Sequence, residues 1–480
     1  MKPSQPTSLT LAALLAMAAV AGASPRRVAA PGFAFQAATR IAGTDGLMPM
    51  TTAGRTLFFS PRTAPPPGVD DLGEIPKWRA PRLFAVSPGD SAPRVIVDFS
   101  GPGVEPADAP FVTMLFPVGD RLLFTVGRHD GSFAFWTSDG TAADTGIIPG
   151  WEFPAGSGIS WASASPFGGL LSVVRGGAGF ELWSTAGSAA TPTLLRDFRD
   201  AGVWRIDSAP LGGFTYFSLV QPDLHVDLWR TDGTPQGTTP VRAAVSQYGE
   251  SSFARAGDTL LLLGDLAGTQ HFWRSDGTAA GTQVFLHSYF PRSAGWLPSA
   301  GDRAYFFSSN VEADGENELW TTDGTAAGTI RVSPVADFWS GALADRILFV
   351  ADDGAHGREP WVTEGTPETT RMLTDVVPGA SGSNPSSFAK IADLVLFSAD
   401  DGSGTGIWRT DGTAAGTWRV PDAHAGAAWS LVSDFTEAGD DVYFLAVTGS
   451  EASLWRMPRS LLAPERLGVG SAAPVVRRRR

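Results

Sequence analysis

A tryptophan returns at nearly fixed intervals along this chain: Trp136, Trp183, Trp229, Trp273, Trp320, Trp361, Trp408 and Trp455. The steps are 47, 46, 44, 47, 41, 47 and 47 residues, and Phe84 holds the same place in a degraded first copy. A period of this size means one supersecondary unit repeated, each copy stacking on its neighbours because it cannot bury its apolar face alone. The clearest copy reads Glu318-Leu319-Trp320-Thr321-Thr322-Asp323-Gly324-Thr325-Ala326-Ala327-Gly328-Thr329.

Within that copy, Ala304-Tyr305-Phe306-Phe307 is a short apolar run of the kind that forms a strand buried on both faces. A polar loop, 310–317, leads to a second strand, Glu318 to Thr321, that carries the Trp. A tight turn, Asp323-Gly324, leads to a third strand from Thr329 to Val332, and the aromatic segment around Trp296 supplies a fourth. Asp bonds backbone amides two residues on, and Gly adopts positive φ without a Cβ clash. The second Gly of the turn is expected to do the same where the loop rejoins its strand. The Trp is a large apolar body suited to wedging between adjacent sheets. Four-stranded units of 40 to 50 residues, each with one aromatic and one turn signature, predict an all-β chain: a single β-propeller of four-stranded antiparallel blades. Nine units can be counted, above the usual four to eight blades, so the expectation is eight or nine, with an open stack of sheets as the alternative.

The pattern is cleanest at Leu228-Trp229-Arg230-Thr231-Asp232-Gly233-Thr234, at Leu319 to Thr325 and at Ile407-Trp408-Arg409-Thr410-Asp411-Gly412-Thr413. It resembles the bacterial ELWxxDGT repeat proteins. The resemblance spans nearly all of the chain beyond its leader. It implies a secreted or surface-exposed propeller-like protein, with no family-wide catalytic residue to carry over. The diglycine of kelch repeats and the Gly-His and Trp-Asp signatures of WD40 repeats are missing.

Residues 1–23 read as a secretory signal peptide: Lys2, a 12-residue apolar run from Leu9 to Val20, and a small-residue cleavage site at Ala21-Gly22-Ala23. The expected location is therefore secreted, periplasmic or at the cell surface, with no membrane span in the mature chain. Residues 24–46 form an N-terminal segment whose stretch 33–41 could pair with the last sheet and close the ring. Repeats fill 47–470, and 471–480, ending in Arg477 to Arg480, read as a basic disordered tail. The formal charge of −13 disfavours nucleic acid, whose phosphates need a basic surface. With no cysteine, disulfides, thiolate metal sites and cysteine nucleophiles are excluded.

In a meander of strands one to four, counted from the axis, the Asp-Gly-Thr turns join three to four and share a face with the one-to-two loops. The two-to-three loops and the blade-to-blade links lie on the other face. That second face carries the insertion from Pro61 to Pro81, the link 101–110, and the acidic loops 352–359 and 400–402. It is the expected working face, since loops on a rigid scaffold are where binding resides.

Three sets of candidate residues follow. Asp139, Asp232, Asp276, Asp323 and Asp411 could form a ring of cation ligands or serve only to cap their turns; capping also explains the adjoining Gly and Thr. Asp352, Asp353, Asp400 and Asp401 sit in Gly-containing loops of the sort that offer oxygens to a hard cation. Calcium is the ion they could take, although no resident cofactor is expected. Trp161, Trp204, Trp296, Trp339 and Trp429, in register with Phe111, Phe253 and Phe388, fall in or before each innermost strand, and Trp78 lies in the insertion. These rings could stack on a sugar or an apolar partner, or pack between blades. No nucleophile elbow, phosphate-binding loop or HExxH is present. The expectation is a non-catalytic propeller that binds a protein or glycan. The alternatives are a carbohydrate-active hydrolase or lyase on the same ring, and a structural or adhesive protein stabilised by cations.

Overall fold

A computed structural model describes residues 39–40, 50–60, 81–100, 109–175, 179–188, 190–198, 207–247, 251–266, 269–287, 295–296, 298–309, 317–421, 429–449 and 451–463. The signal segment, the insertion 61–80, the link 101–108 and the basic tail lie outside them, as do Trp78 and Trp204.

Every sheet is antiparallel, and all but the one that takes in Thr39–Arg40 are meanders in chain order. Blades 1 to 5 span 50–98, 111–153, 157–198, 208–246 and 251–287, with four strands each. Blades 6 and 7 form one seven-stranded sheet, because the 13-residue strand Ile330–Ala342 is the outermost strand of blade 6 and the innermost of blade 7. Here the sequence period drops to 41 residues, and the link between blades has disappeared into the strand. Blade 8 covers 386–419. Blade 9 takes three strands from 431–458, and its fourth is Thr39–Arg40, paired antiparallel with Glu451–Pro458. The described residues therefore build nine blades in one propeller. The strands expected around Trp320 are present as Gly295–Trp296, Ala304–Ser309, Asn317–Thr322 and Ile330–Ala342.

First strands of successive blades lie against one another: 50–53 beside 111–118, 208–211 beside 251–256, 330–342 beside 386–391, and 386–391 beside 431–438. They therefore line the axis. The strand 50–53 also contacts 431–438, so the ring shuts on itself. An apolar cluster bridges the closure, with Leu57, Phe59 and Val86 of blade 1 against Ala438, Tyr443, Leu445 and Leu454 of blade 9. Arg456 donates to the Asp90 carbonyl across the same seam at 2.9 Å.

The core is a series of such wedges rather than one mass. Trp136 packs with Leu83, Ala85 and Ile96 of blade 1, Trp183 with Phe135 and Trp151 of blade 2, Trp229 with Leu182 and Phe198 of blade 3, and Trp273 with Leu228 of blade 4. Each of these repeat tryptophans thus closes the gap to the preceding blade, where an indole's large area is removed from water. The Glu that precedes the Trp by two positions has a purpose of its own: Glu181 and Glu318 accept the indole Nε1–H of Trp183 and Trp320 at 3.1 and 3.0 Å. Side chains two apart on a strand share a face, which makes the pair possible.

Candidate functional site

The Asp-Gly-Thr turns form a closed hydrogen-bond cage. In blade 6, Asp323 Oδ1 accepts from the Thr325 amide at 2.9 Å and the Thr325 hydroxyl at 2.7 Å. Thr325 Oγ1 in turn accepts from the Gly328 amide at 2.9 Å, and the Thr329 hydroxyl donates to the Thr325 carbonyl at 2.7 Å. Thr322 Oγ1 accepts from the Gly324 amide at 3.1 Å and lies 2.7 Å from Thr329 Oγ1. Blades 4, 5 and 8 repeat the Asp–Thr pair at Asp232, Asp276 and Asp411, and blade 2 at Asp139. The Thr234 hydroxyl, then its amide, hold the Asp232 carboxyl below the ordinary range, and Thr278 does the same to Asp276.

The two glycines of the turn have different causes. Gly233, Gly277, Gly324 and Gly412 have φ of +88°, +89°, +85° and +86°, as expected. The second set, Gly237, Gly281, Gly328 and Gly416, is not among the positive-φ residues. A Cβ there would stand 1.9 to 2.1 Å from Oδ1 of the turn Asp. The expectation of positive φ at this position is corrected: the residue is Gly so that the carboxylate can fold down over it. Blade 2 has Asp144 in that place, and its amide reaches Thr141 Oγ1 at 3.2 Å instead of the 2.9 to 3.0 Å seen at the glycines.

The turns also join blades. A Cβ on Gly187, Gly233 or Gly365 would fall within 2.6 to 2.7 Å of Val118, Phe167 or Arg303 of the preceding blade. Arg94 donates to the Gly140 carbonyl at 2.9 Å, Ser184 to that of Gly233 at 3.2 Å, and Arg230 to that of Gly277 at 3.1 Å. The repeated aspartates thus have their oxygens turned onto their own backbone, in turns pressed against the preceding sheet.

The opposite face is built from dissimilar loops. Asp352 Oδ1 accepts from the Gly354 amide at 2.8 Å, and Asp353 Oδ1 from the amides of Ala355 and His356, both at 2.9 Å. Asp353 Oδ2 lies 2.8 Å from His356 Nδ1. The amides of Ala355 and His356 push the Asp353 carboxyl down to about 2, and Asp353 holds the His356 imidazole above its usual value. Asp400 accepts from the amides of Gly402 and Gly404 at 2.8 and 3.1 Å, and Asp401 pairs with Arg419 at 2.5 Å. Among the described residues no three His, Asp or Glu side chains converge as a metal site would require. Glu359, fully buried at the end of the loop 352–359, accepts from the Val376 and Val377 amides and the Ser383 hydroxyl at 3.2, 3.0 and 2.6 Å. Burial pushes its carboxyl up, against those three donors.

The tryptophans of the second aromatic set do not share one environment. Trp161 packs into the wedge between blades 3 and 4. Trp429, 3% exposed, is buried between blades 8 and 9, edge-on to Phe444 and Trp455 at 5.5 and 5.2 Å. Trp339 is 40% exposed, at a bulge in the shared strand. Trp296 sits in the first strand of blade 6, and its side chain is not among those described.

What this face does hold is a cavity of about 340 Å³ between blades 2 and 3. Its walls are the starts of both innermost strands, with Phe111, Thr113 and Met114 from one and Ser157, Gly158 and Ile159 from the other, closed by the two-to-three loop of blade 2 from Arg128 to Ser132. Small-molecule sites span roughly 300–1,000 Å³ and combine apolar walls with a few polar groups. Of these residues only Phe111 stood out in the sequence, through its register with the other inner aromatics. Ser157, Gly158 and Arg128 carry no repeat signature.

A scan of protein-family models found no match, and neither did a search of curated proteins. Among solved structures the chain is similar to a prolyl endopeptidase, with a TM-score of 0.41 and 11% identity over 72% of this chain and 55% of that one. It is also similar to the β-propeller domain of the Trilobed protease from Pyrococcus furiosus, with a TM-score of 0.35 and 10% identity over 76% and 98%. A third likeness is to Sqt1 of Saccharomyces cerevisiae, with a TM-score of 0.39 and 11% identity over 73% and 98%. The match thus spans about half the length of the prolyl endopeptidase.

Proposed function

We propose that this chain is a secreted, non-catalytic propeller of the ELWxxDGT repeat kind that binds a protein or glycan outside the cell or at its envelope. The binding surface is the face of the two-to-three loops. The observation that carries this reading is the asymmetry between the two faces. On one, the turn carboxylates are spent on their own amides and hydroxyls, and the turns are wedged against the preceding blade. On the other, the loops differ from blade to blade and a walled cavity opens between two of them. Uniform, internally satisfied turns suit a scaffold, and varied loops suit recognition.

Among the described residues, the carboxylates raised by burial, Glu359 and Asp441, belong to blades 7 and 9. Glu359 is held by its three donors, and Asp441 lies 3.9 Å from the Arg456 guanidinium. Both are engaged within their own blade or the segment beside it. That favours binding over paired-carboxylate hydrolysis, which needs two carboxylates flanking one cleft. No helix among the described residues is long and apolar enough to cross a membrane.

The test compares two surface variants of the mature chain on a glycan array and on immobilised envelope-protein fractions. One replaces Asp353 and His356 with Ser and adds Arg128→Ser on the loop face. The other makes two changes on the turn face, Gln236→Ser and Glu368→Ser. Loss of a bound partner in the first variant alone supports the assignment. Loss in the second alone overturns it.

A further inference from the structure

We infer that the cavity between blades 2 and 3 seats one ring of an uncharged hexose. This rests on the loop face being the binding face, and it names the ligand chemistry that one part of that face would recognise.

The walls divide into two kinds. Phe111, Met114, Phe133 and Ile159 are apolar. Both aromatic rings are held in place: Phe133 stacks on Phe153 at 5.1 Å, and Phe111 lies so close over Gly127 that a Cβ there would meet its ring at 3.1 Å. A fixed aromatic wall presents a flat surface, to which the C–H face of a pyranose is complementary. The rest of the lining is hydroxyl and backbone. Ser157 Oγ is buried and without a hydrogen-bond partner, a state in which few buried polar atoms are left. Thr113 and Thr125 place their hydroxyl oxygens 2.6 Å apart. Two hydroxyls joined by one bond use one of their two protons, so the second is free to turn toward a ligand oxygen. Ser132 Oγ accepts from Arg128 at 3.4 Å, and its side chain and amide are held by Asp130 of the same loop.

Charge decides which sugar. Arg128 is the one ionic side chain among the described residues of the lining, and Glu152 stands 3.7 Å from it. Asp130 of the same loop also faces Arg128, so the cation is more than balanced and an acidic sugar gains no unbalanced cation. The guanidinium N–H groups are still able to donate to a neutral ligand's hydroxyls. An apolar peptide side chain would fill the same space and leave Ser157 Oγ unpaired, a penalty that sites built around polar groups use to reject ligands lacking them.

Gly158 provides a clean test. Its φ is unremarkable, and a Cβ there meets nothing within 4 Å, so Gly158→Phe fills the cavity without displacing the fold. The probe is a glycan array carrying neutral gluco-, galacto-, manno- and N-acetylglucosamine-containing oligosaccharides beside uronic and sulfated ones. Titration calorimetry follows on the strongest ligand, with thermal melts confirming that each variant is folded. The expected result is binding of a neutral glycan, weakened at least tenfold by Gly158→Phe and by Phe111→Ala, and several-fold by Ser157→Ala. A neutral glycan bound equally well by Gly158→Phe would overturn this site while leaving the face assignment standing. Preference for the acidic glycans, or no glycan bound at all, would overturn the ligand class; a protein partner captured by the loop face would still stand in that case.

Discussion

A missing methyl group governs the turns. At Gly328 the Asp323 carboxylate occupies the place a Cβ would take, 2.1 Å away, while the backbone itself is ordinary. Gly328→Ala should therefore destabilise the chain by about 2 kcal/mol, within the range for steric clashes and lost caps. Adding Asp323→Ala should recover part of that loss, because the clash disappears with the carboxylate. A denaturant-unfolding double-mutant cycle reads this coupling, and strict additivity would refute the account. A second residue-scale prediction concerns Asp353 and His356. The amides of Ala355 and His356 depress the Asp353 carboxyl to about 2, so its contribution is present above the unfolded value near 3.8 and fades as pH falls toward 2. Asp353 raises the His356 imidazole above 6.5, so that contribution is complete below 6.5 and is lost as pH rises through the folded value. In a histidine NMR titration His356 should titrate above 6.5, and Asp353→Asn should bring it back down.

At the scale of strands and turns, the Glu of the repeat is a fitted part. Glu318 joins Trp320 Nε1 at 3.0 Å to Arg331 Nη1 at 2.9 Å. Glu318→Ala should cost about 1.5 kcal/mol, since it leaves an indole N–H short of its acceptor. Where that Glu is replaced or engaged elsewhere, the indole loses its acceptor: Trp273 follows His271, Trp408 follows Gly406, and Trp361 follows Glu359, which is turned to Val376, Val377 and Ser383; all three indole nitrogens are buried without a partner. The strand Ile330–Ala342 makes a different prediction. Because its first half, 330–336, pairs into blade 6 and its second, 337–342, runs on without a break into blade 7, its amides should exchange with deuterium as one cooperative unit spanning both blades. Independent opening of the two would contradict that. The elements themselves were legible because their signals are local: alternation and apolar runs give strands, and Asp-Gly gives the turn. The second glycine was misread for the same reason. Its cause is a side chain reaching across from five residues earlier, which composition does not display. The cavity was largely illegible because its walls come from two units that meet only in space.

For the molecule as a whole, the period was enough to indicate a ring and the stretch 33–41 was a candidate for the last sheet; the coordinates supply the register, Thr39 opposite Arg456 and Arg40 opposite Trp455. A chain lacking 429–463 should be left with two uncovered apolar surfaces, Leu57, Phe59 and Val86 on one side and Ile391, Leu396 and Ile407 on the other. Size-exclusion chromatography should find it associated or aggregated where the full chain elutes as a single species; a well-behaved monomer would argue against mutual dependence of the blades. The closing joint has one further consequence. Its two halves leave the ribosome hundreds of residues apart, the short N-terminal piece early and Glu451–Pro458 late. Every growing copy must therefore carry an unfinished circle until Glu451–Pro458 has been made, and any quality control that senses naked sheet margins would tell a closed ring from an open one by that single seam.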